Sequence, residues 1–261
     1  MKIYGGCIRY LHSTESLLDL LDLAREAAPK NIVACCGSGD QALVLSSLLP
    51  VSGRLYAFDS NPAQLFLLAA KARHLSSAIR PPYWLSLEQL TALYPGCVVP
   101  VKPDMRKLDR VFDIKDRAYR DLPKEFSSRF VLEVDAVCCT RRQPVWATDK
   151  ILLKKIKTRL NRLFLVREDV FYLYEWFPDN AVDLLYLSDI AVASGHCYYR
   201  EKLARLMRLV RSGGFIIGSL DRGEKFLGSG MPLIEMAKDL VPGLSLETVR
   251  VQEGLLALRK K

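Results

Sequence analysis

Asn31-Ile32-Val33-Ala34-Cys35-Cys36-Gly37-Ser38-Gly39-Asp40, then the apolar stretch Ala42 to Leu49, then Leu55-Tyr56-Ala57-Phe58-Asp59, reads as strand, tight turn, helix and second strand. The first run is short, apolar and closed by two glycines, as expected of a buried strand entering a turn that side chains would obstruct. Asp59 stands about twenty residues after that turn, where an acidic side chain in a Rossmann-type unit grips ribose hydroxyls. The order of these pieces predicts a site for a nucleoside-containing cofactor.

The same alternation extends outward. Ser13-Thr14-Glu15-Ser16 offers cap oxygens for a helix carrying Leu17, Leu18, Leu20, Leu21 and Leu23 and ending before Pro29. Asn61-Pro62 caps and opens a helix over Ala63 to Leu75. Between Arg80 and Lys150 the pattern breaks into basic residues, aromatics and prolines, too long a passage for an ordinary loop. It is expected to be a mostly helical insertion, with Leu85 to Tyr94 as one short helix. Alternation resumes with a basic amphipathic helix over Lys150 to Leu160, a strand at Leu163-Phe164-Leu165-Val166, and a helix or turn through Trp176. A strand at Val182 to Leu187, a helix from Tyr199 to Val210 ended by Gly213-Gly214, and a strand at Phe215 to Leu220 follow. Leu244 to Arg259 should close the sheet as an antiparallel pair around Glu253-Gly254. The division expected is 1–80 for the first half of the cofactor domain, 81–150 for a substrate-recognition insertion, and 151–261 for the second half.

The 261 residues are 50% hydrophobic, enough for a large core, and every apolar run is interrupted by charge before it reaches a membrane-spanning length. With no signal-peptide hydrophobic region at Met1 to Cys7, a cytoplasmic location is expected. Seven cysteines without metal-type spacing read as reduced and structural, and no metal is expected. The formal charge of +9 is concentrated in Arg106 to Arg120 and Lys150 to Arg162. A basic helix over 150–162 suits an anionic lipid surface, or RNA if Arg141-Arg142 join it, although no RNA-binding module accompanies it. A solvated face explains it equally well.

Asp59, Asp169 and Asp189 all fall at the carboxyl ends of successive strands, the edge where open parallel sheets bind ligands. Cys36, Gly37, Ser38 and Gly39 form the turn, Asp59 and Ser60 suit the ribose, and Asp169 with Val170 suits adenine. Ser188 and Asp189 lie where a transferred group or its acceptor would be. The turn lacks the three-glycine dinucleotide fingerprint, and the chain has no Gly-Lys-Ser/Thr phosphate loop. An adenosine cofactor without phosphates fits better, and S-adenosylmethionine is the expected one. Asp189 is the candidate base or orienting group for an acceptor amine or hydroxyl. Tyr172, Tyr174, Tyr186 and Trp176 are candidates to face a cation through a ring, and His196 is a weaker catalytic candidate.

Asp59-Ser60-Asn61-Pro62-Ala63-Gln64-Leu65, with Leu67-Leu68 and Ala70-Lys71-Ala72, resembles the second-strand motif of the betaine-lipid transferases. These enzymes move the 3-amino-3-carboxypropyl group of S-adenosylmethionine onto diacylglycerol. Leu85 to Leu90, Leu93 to Gly96, and Val182 to Ile190 are similar to further segments of that family. The chain looks shorter than those enzymes, lacks their tryptophan-acid element before the first strand, and carries Cys36 to Asp40 where another small-residue turn is expected. The resemblance implies an α/β, class I methyltransferase-like Rossmann fold, with a mostly parallel doubly wound sheet and a helical insertion. It also implies aminocarboxypropyl transfer to a small-molecule amine, a hydroxyl or a lipid, with release of methylthioadenosine. Methyl transfer, cyclisation of the donor to azetidine-2-carboxylate, and adenosine binding without catalysis are the alternatives.

Overall fold

The structure is a computed structural model that describes residues 4–8, 13, 16–77, 89, 92, 98–101, 130–135, 147–188, 190–193, 197–219, 230–232, 234, 246–252 and 255–261. In chain order its strands are β1 (Tyr4–Ile8), β2 (Asn31–Cys35), β3 (Arg54–Asp59), β4 (Val98–Val101), β5 (Phe130–Asp135), β6 (Leu163–Arg167), β7 (Val182–Tyr186), β8 (Ala191–Ala193), β9 (Val210–Ser219), β10 (Gly230–Pro232), β11 (Leu246–Gln252) and β12 (Leu255–Lys260). The helices are α1 (Leu17–Arg25), α2 (Asp40–Ser46), α3 (Pro62–Ser77), α4 (Lys150–Arg159) and α5 (Cys197–Arg208), with a 3-10 turn over Val170–Glu175. Among the described residues, no helix is long and apolar enough to cross a membrane.

Seven strands form the main sheet in the order β11-β12-β9-β7-β2-β3-β6. β6, β3, β2, β7 and β9 run parallel, while β12 is antiparallel to both β9 and β11. A doubly wound sheet closed by an antiparallel hairpin, with the last strand tucked inside the edge, is the class I methyltransferase-like Rossmann arrangement. The chain winds from β2 outward through β3 to β6 and then returns to β7 on the other side of β2. This reversal is a switch point, and the crevice in which such sheets take ligands lies, by that rule, beyond the carboxyl ends of β2 and β7.

Period-two alternation divides the core. Ile32, Ala34, Leu55, Ala57, Leu184 and Tyr186 face α1 to α4. Val33, Phe58, Val166, Leu185, Leu187 and Ile216 face the 3-10 turn and α5. Both faces are covered, which is why the strands read as unbroken apolar runs. Asp149 caps α4, accepting from the Ile151 and Leu152 amides at 2.9 and 3.0 Å. Leu152, Leu153 and Ile156 then turn inward, leaving Lys150, Lys154 and Lys155 outside.

Three features differ from the sequence reading. β1 pairs in parallel with β5, and β5 with β4, making a second, three-stranded sheet that lies against α3. At β4 and β5 the 81–150 segment is therefore strand where helix was expected; the rest of it, apart from 89, 92 and 147–150, lies outside the described residues. Gly213 and Gly214 sit inside β9 rather than in a turn before it, where the register with β7 shifts between Val182 and Leu184 and Gly213 takes φ +74°. The extra residues form a bulge, which a left-handed glycine accommodates.

Asp183 clamps the amino end of the sheet. Its Oδ2 accepts from the Lys30 and Asn31 amides at 2.9 and 2.7 Å, and its Oδ1 pairs with the Arg211 guanidinium. Burial works against the charged carboxylate, but Arg211 and the two amides outweigh it and hold its pKa below the usual range. A depressed carboxylate stabilises the fold above its unfolded pKa of about 3.9, and that contribution disappears as pH falls through the lower folded value. Asp183→Asn should therefore cost about 1–2 kcal/mol at pH 7 by denaturant titration, with the gap from wild type closing below about pH 4. A gap that persists unchanged in acid would remove the charge from this account.

Candidate functional site

The carboxyl edge is built around the turn from β2 into α2. Gly39 takes φ +85°, and a Cβ added there would lie 3.0 Å from Leu68 Cβ and 3.1 Å from Leu68 Cα. This glycine lets α2 and α3 touch. Gly37 also has positive φ, +47°, but among the described residues its Cβ direction is open, with nothing nearer than the Gln41 amide at 3.9 Å. That is the side from which a ligand can approach the backbone.

The two glycines therefore predict different phenotypes. Gly39→Ala meets both a disfavoured dihedral and α3 backbone, so about 2–3 kcal/mol of stability should be lost. Gly37→Ala should cost only about 1 kcal/mol, because αL is its sole penalty. It should nonetheless weaken nucleoside binding, since the new methyl fills the open approach. Paired denaturation and binding titrations check this; equal stability losses with equal affinities would contradict it.

Asp59 closes β3 beside this turn. Its Oδ2 accepts from the Gly37 amide at 3.3 Å and its Oδ1 from the Asn61 amide at 2.8 Å. These amides aim the carboxylate over the edge, and with roughly four lone-pair directions it has the capacity to accept hydroxyls as well. Asn61 Oδ1 accepts from the Ala63 amide at 3.0 Å and caps α3, as the Asn-Pro pair predicts. Ser60 is exposed alongside.

Cys36 is placed differently from its neighbours. Its side chain is fully buried and reaches the Gln64 carbonyl at 3.4 Å, while its amide donates to the Phe58 carbonyl at 2.7 Å. Burial, reinforced by the nearby Asp59 charge, pushes the thiol pKa well up, so it is a neutral packing group.

Sequence reasoning missed what stands behind the turn. Lys71 is 2% exposed and Asp40 fully buried; they pair at 2.9 Å. Lys71 Nζ also donates to the Ser38 carbonyl at 2.8 Å, and Gln64 Nε2 donates to the Gly37 carbonyl. The Ser13 amide reaches Asp40 Oδ2 at 3.0 Å, tying the segment before α1 to the same carboxylate. The available signal was a Gln and a Lys seven residues apart in the otherwise apolar run of α3, two helical turns along one face.

The remaining candidates line the edge unevenly. Asp169 is exposed after β6, and its Oδ1 accepts from the Phe171 amide at 2.8 Å, capping the 3-10 turn; Val170 is buried beneath it. Ser188 follows β7 in the left-handed region at φ +53°, its carbonyl holding the Ser219 amide at 2.8 Å. A non-glycine residue strained there marks a tightly determined corner beside the crevice. Asp189 and His196 lie outside the described residues. The aromatic candidates are engaged elsewhere: Tyr186 is fully buried, Lys202 Nζ sits 3.9 Å from the Tyr172 ring, and Arg205 lies 5.3 Å from that of Tyr174. Trp176 Nε1 donates to Glu168 Oε2 at 3.2 Å.

A cavity of about 340 Å³ lies between Tyr56, Phe164, Trp176 and Phe177, with Asn31 and Arg54 at its border. Asn31 and Arg54 begin β2 and β3, so this cavity is at the amino end of the sheet, opposite Asp59. It is therefore not the crevice described above.

No family model matches the sequence, and no curated protein matches it. Solved structures that resemble the fold include a putative rRNA-methylase from Clostridium thermocellum, 13% identical, covering 96% of this chain and 100% of that one, TM-score 0.45. The rRNA methyltransferase aviRa from Streptomyces viridochromogenes is 18% identical over 96% and 88% of the two chains, TM-score 0.45. A SAM dependent methyltransferase from Aquifex aeolicus is 11% identical over 94% and 89%, TM-score 0.45. At this level of likeness the fold rests on the strand order itself.

Proposed function

We propose that the protein is an S-adenosylmethionine-dependent transferase that moves the 3-amino-3-carboxypropyl group to a nucleophilic acceptor. The observation that carries the reading is Asp59, aimed over the carboxyl edge by the Gly37 and Asn61 amides beside a turn where no described residue crowds Gly37. The residues present fit an adenosine without phosphates. Asp59 supplies a carboxylate for the ribose diol, Asp169 an acceptor for the adenine amine, and the turn carries no phosphate-binding lysine, because Lys71 is committed to Asp40.

The cofactor supplies a sulfonium whose three attached carbons are open to displacement, so the protein decides the product by which carbon it presents to the nucleophile. In aminocarboxypropyl transfer the nucleophile bonds to the terminal chain carbon, the carbon–sulfur pair returns to sulfur as methylthioadenosine, and the acceptor loses a proton. Asp189 is the residue proposed to receive or steer that proton. The resemblance of the Asp59 to Lys71 segment to the betaine-lipid transferases supports this group. Methyl transfer is the second reading, favoured by the strand order. The exposed lysines of α4 support an acceptor that is anionic or presented on an anionic lipid surface.

The test is to incubate the protein with S-adenosylmethionine, with and without cell extract, and identify the nucleoside released. Methylthioadenosine is expected, and only when acceptor is present. S-adenosylhomocysteine would establish methyl transfer, methylthioadenosine without acceptor would establish cyclisation, and no product would leave a binding role.

A further inference from the structure

We propose that Gln64 and Lys71 are positioning residues that set the Gly37–Gly39 turn for the part of the cofactor attached to the ribose 5′ carbon. The inference rests on the reading of the site given above and concerns how the turn is held.

Two consecutive carbonyls of the turn point into the protein, Gly37 to the Gln64 amide and Ser38 to the Lys71 ammonium. Both donors come from one face of α3, and both side chains are buried, Gln64 at 2% exposure and Lys71 at 2%. With the carbonyls drawn back, donors are what the turn can offer a ligand. The Gly37, Gly39 and Asp40 amides are already used, by Asp59, the Cys36 carbonyl and Ser38 Oγ. No acceptor among the described residues takes the Ser38 amide.

Strand order gives the ligand a direction. Asp59 on β3 and Asp169 after β6 place ribose and adenine over that half of the sheet, and β2 and β7 lie on the other side of Asp59. The 5′ substituent, with its carboxylate, therefore crosses the glycine turn toward Ser188. A turn whose carbonyls are withdrawn, and whose Ser38 amide meets no acceptor among the described residues, suits that carboxylate. Lys71 has a second function in the same geometry: its ammonium pairs with the buried Asp40 carboxylate and offsets that negative charge behind the turn.

The experiment compares affinities for S-adenosylmethionine and adenosine by calorimetry in wild type, Gln64→Leu, and the double variant Asp40→Asn/Lys71→Met, with thermal unfolding of each. The double variant removes both charges together and keeps an acceptor for the Ser13 amide, so the fold is retained. Affinity for S-adenosylmethionine should fall about tenfold or more in both variants while that for adenosine changes less than about threefold. A general loosening of the domain would weaken both ligands alike, and that result overturns the proposal. So does a folded variant with unchanged affinity for S-adenosylmethionine. A wild-type protein that binds neither ligand overturns the cofactor reading and this inference with it, whereas wild-type binding with insensitive variants overturns the inference alone.

Discussion

Lys71→Met is expected to remove about 3–5 kcal/mol of stability, the cost of taking the pairing ammonium from a buried carboxylate. Asp40 is fully buried and its carboxylate is 2.9 Å from Lys71 Nζ, so no water can take over when the ammonium is removed. The Ser38 carbonyl loses its 2.8 Å donor at the same time. For a domain of this size the midpoint of thermal unfolding should drop by roughly 10 °C. Asp40→Asn/Lys71→Met should recover a large part of that loss, because a neutral pair has no stranded charge. A single variant as stable as wild type would mean that the pair is open to solvent in solution, and the account of the turn would fail.

The largest functional effect should come from Asp59→Ala. Each charge-assisted hydrogen bond from a ribose hydroxyl contributes about 1.5–3 kcal/mol, so losing the carboxylate should raise the dissociation constant for S-adenosylmethionine by at least about tenfold and up to about 100-fold. The Gly37 and Asn61 amides lose an acceptor as well, which loosens the turn and adds to the effect. Asp59→Asn keeps one acceptor oxygen and the side-chain shape, and should fall between the two. Calorimetric titration of the three proteins checks the series; unchanged affinity in Asp59→Ala would take this residue out of the site.

The β2 to α3 part of the fold was legible because its signals are local. Strand, glycine turn, helix and Asp59 follow one another within thirty residues, and the apolar run, the glycines and the Asn61-Pro62 start each carry their own stereochemical reason. The closing pair was legible for the same reason, since β11 and β12 flank Glu253-Gly254 in the sequence and pair with each other. β1 was not legible. Its Gly5-Gly6 disfavours a strand, and its partner is β5, more than a hundred residues away. β4 and β5 are short parallel strands without a hairpin turn to announce them. The bulge in β9 was misread because Gly213-Gly214 after a helix is a normal stop signal, and only the pairing with β7 shows that the strand has already begun.

The site divides along the same line. The places of Gly37 and Gly39 in the turn and of Asp59 at the strand end followed from spacing, whereas Asp40, Gln64 and Lys71 act across the fold and read in the sequence as ordinary polar positions. Lys71 bonds a carbonyl thirty-three residues away. Cys36 was placed correctly in the chain as part of the turn, but only the packing shows that its thiol points into the core.

The central claim is that an S-adenosyl nucleoside lies along the carboxyl edge with its ribose on Asp59. A crystal structure of the protein grown with S-adenosylhomocysteine tests it most directly. The account predicts ribose hydroxyl oxygens about 2.5–3 Å from the Asp59 carboxylate, with adenine toward Asp169 and the amino-acid portion over Gly37 to Gly39. The nucleoside bound instead in the aromatic cavity at the opposite end of the sheet, between Tyr56 and Trp176, would contradict it.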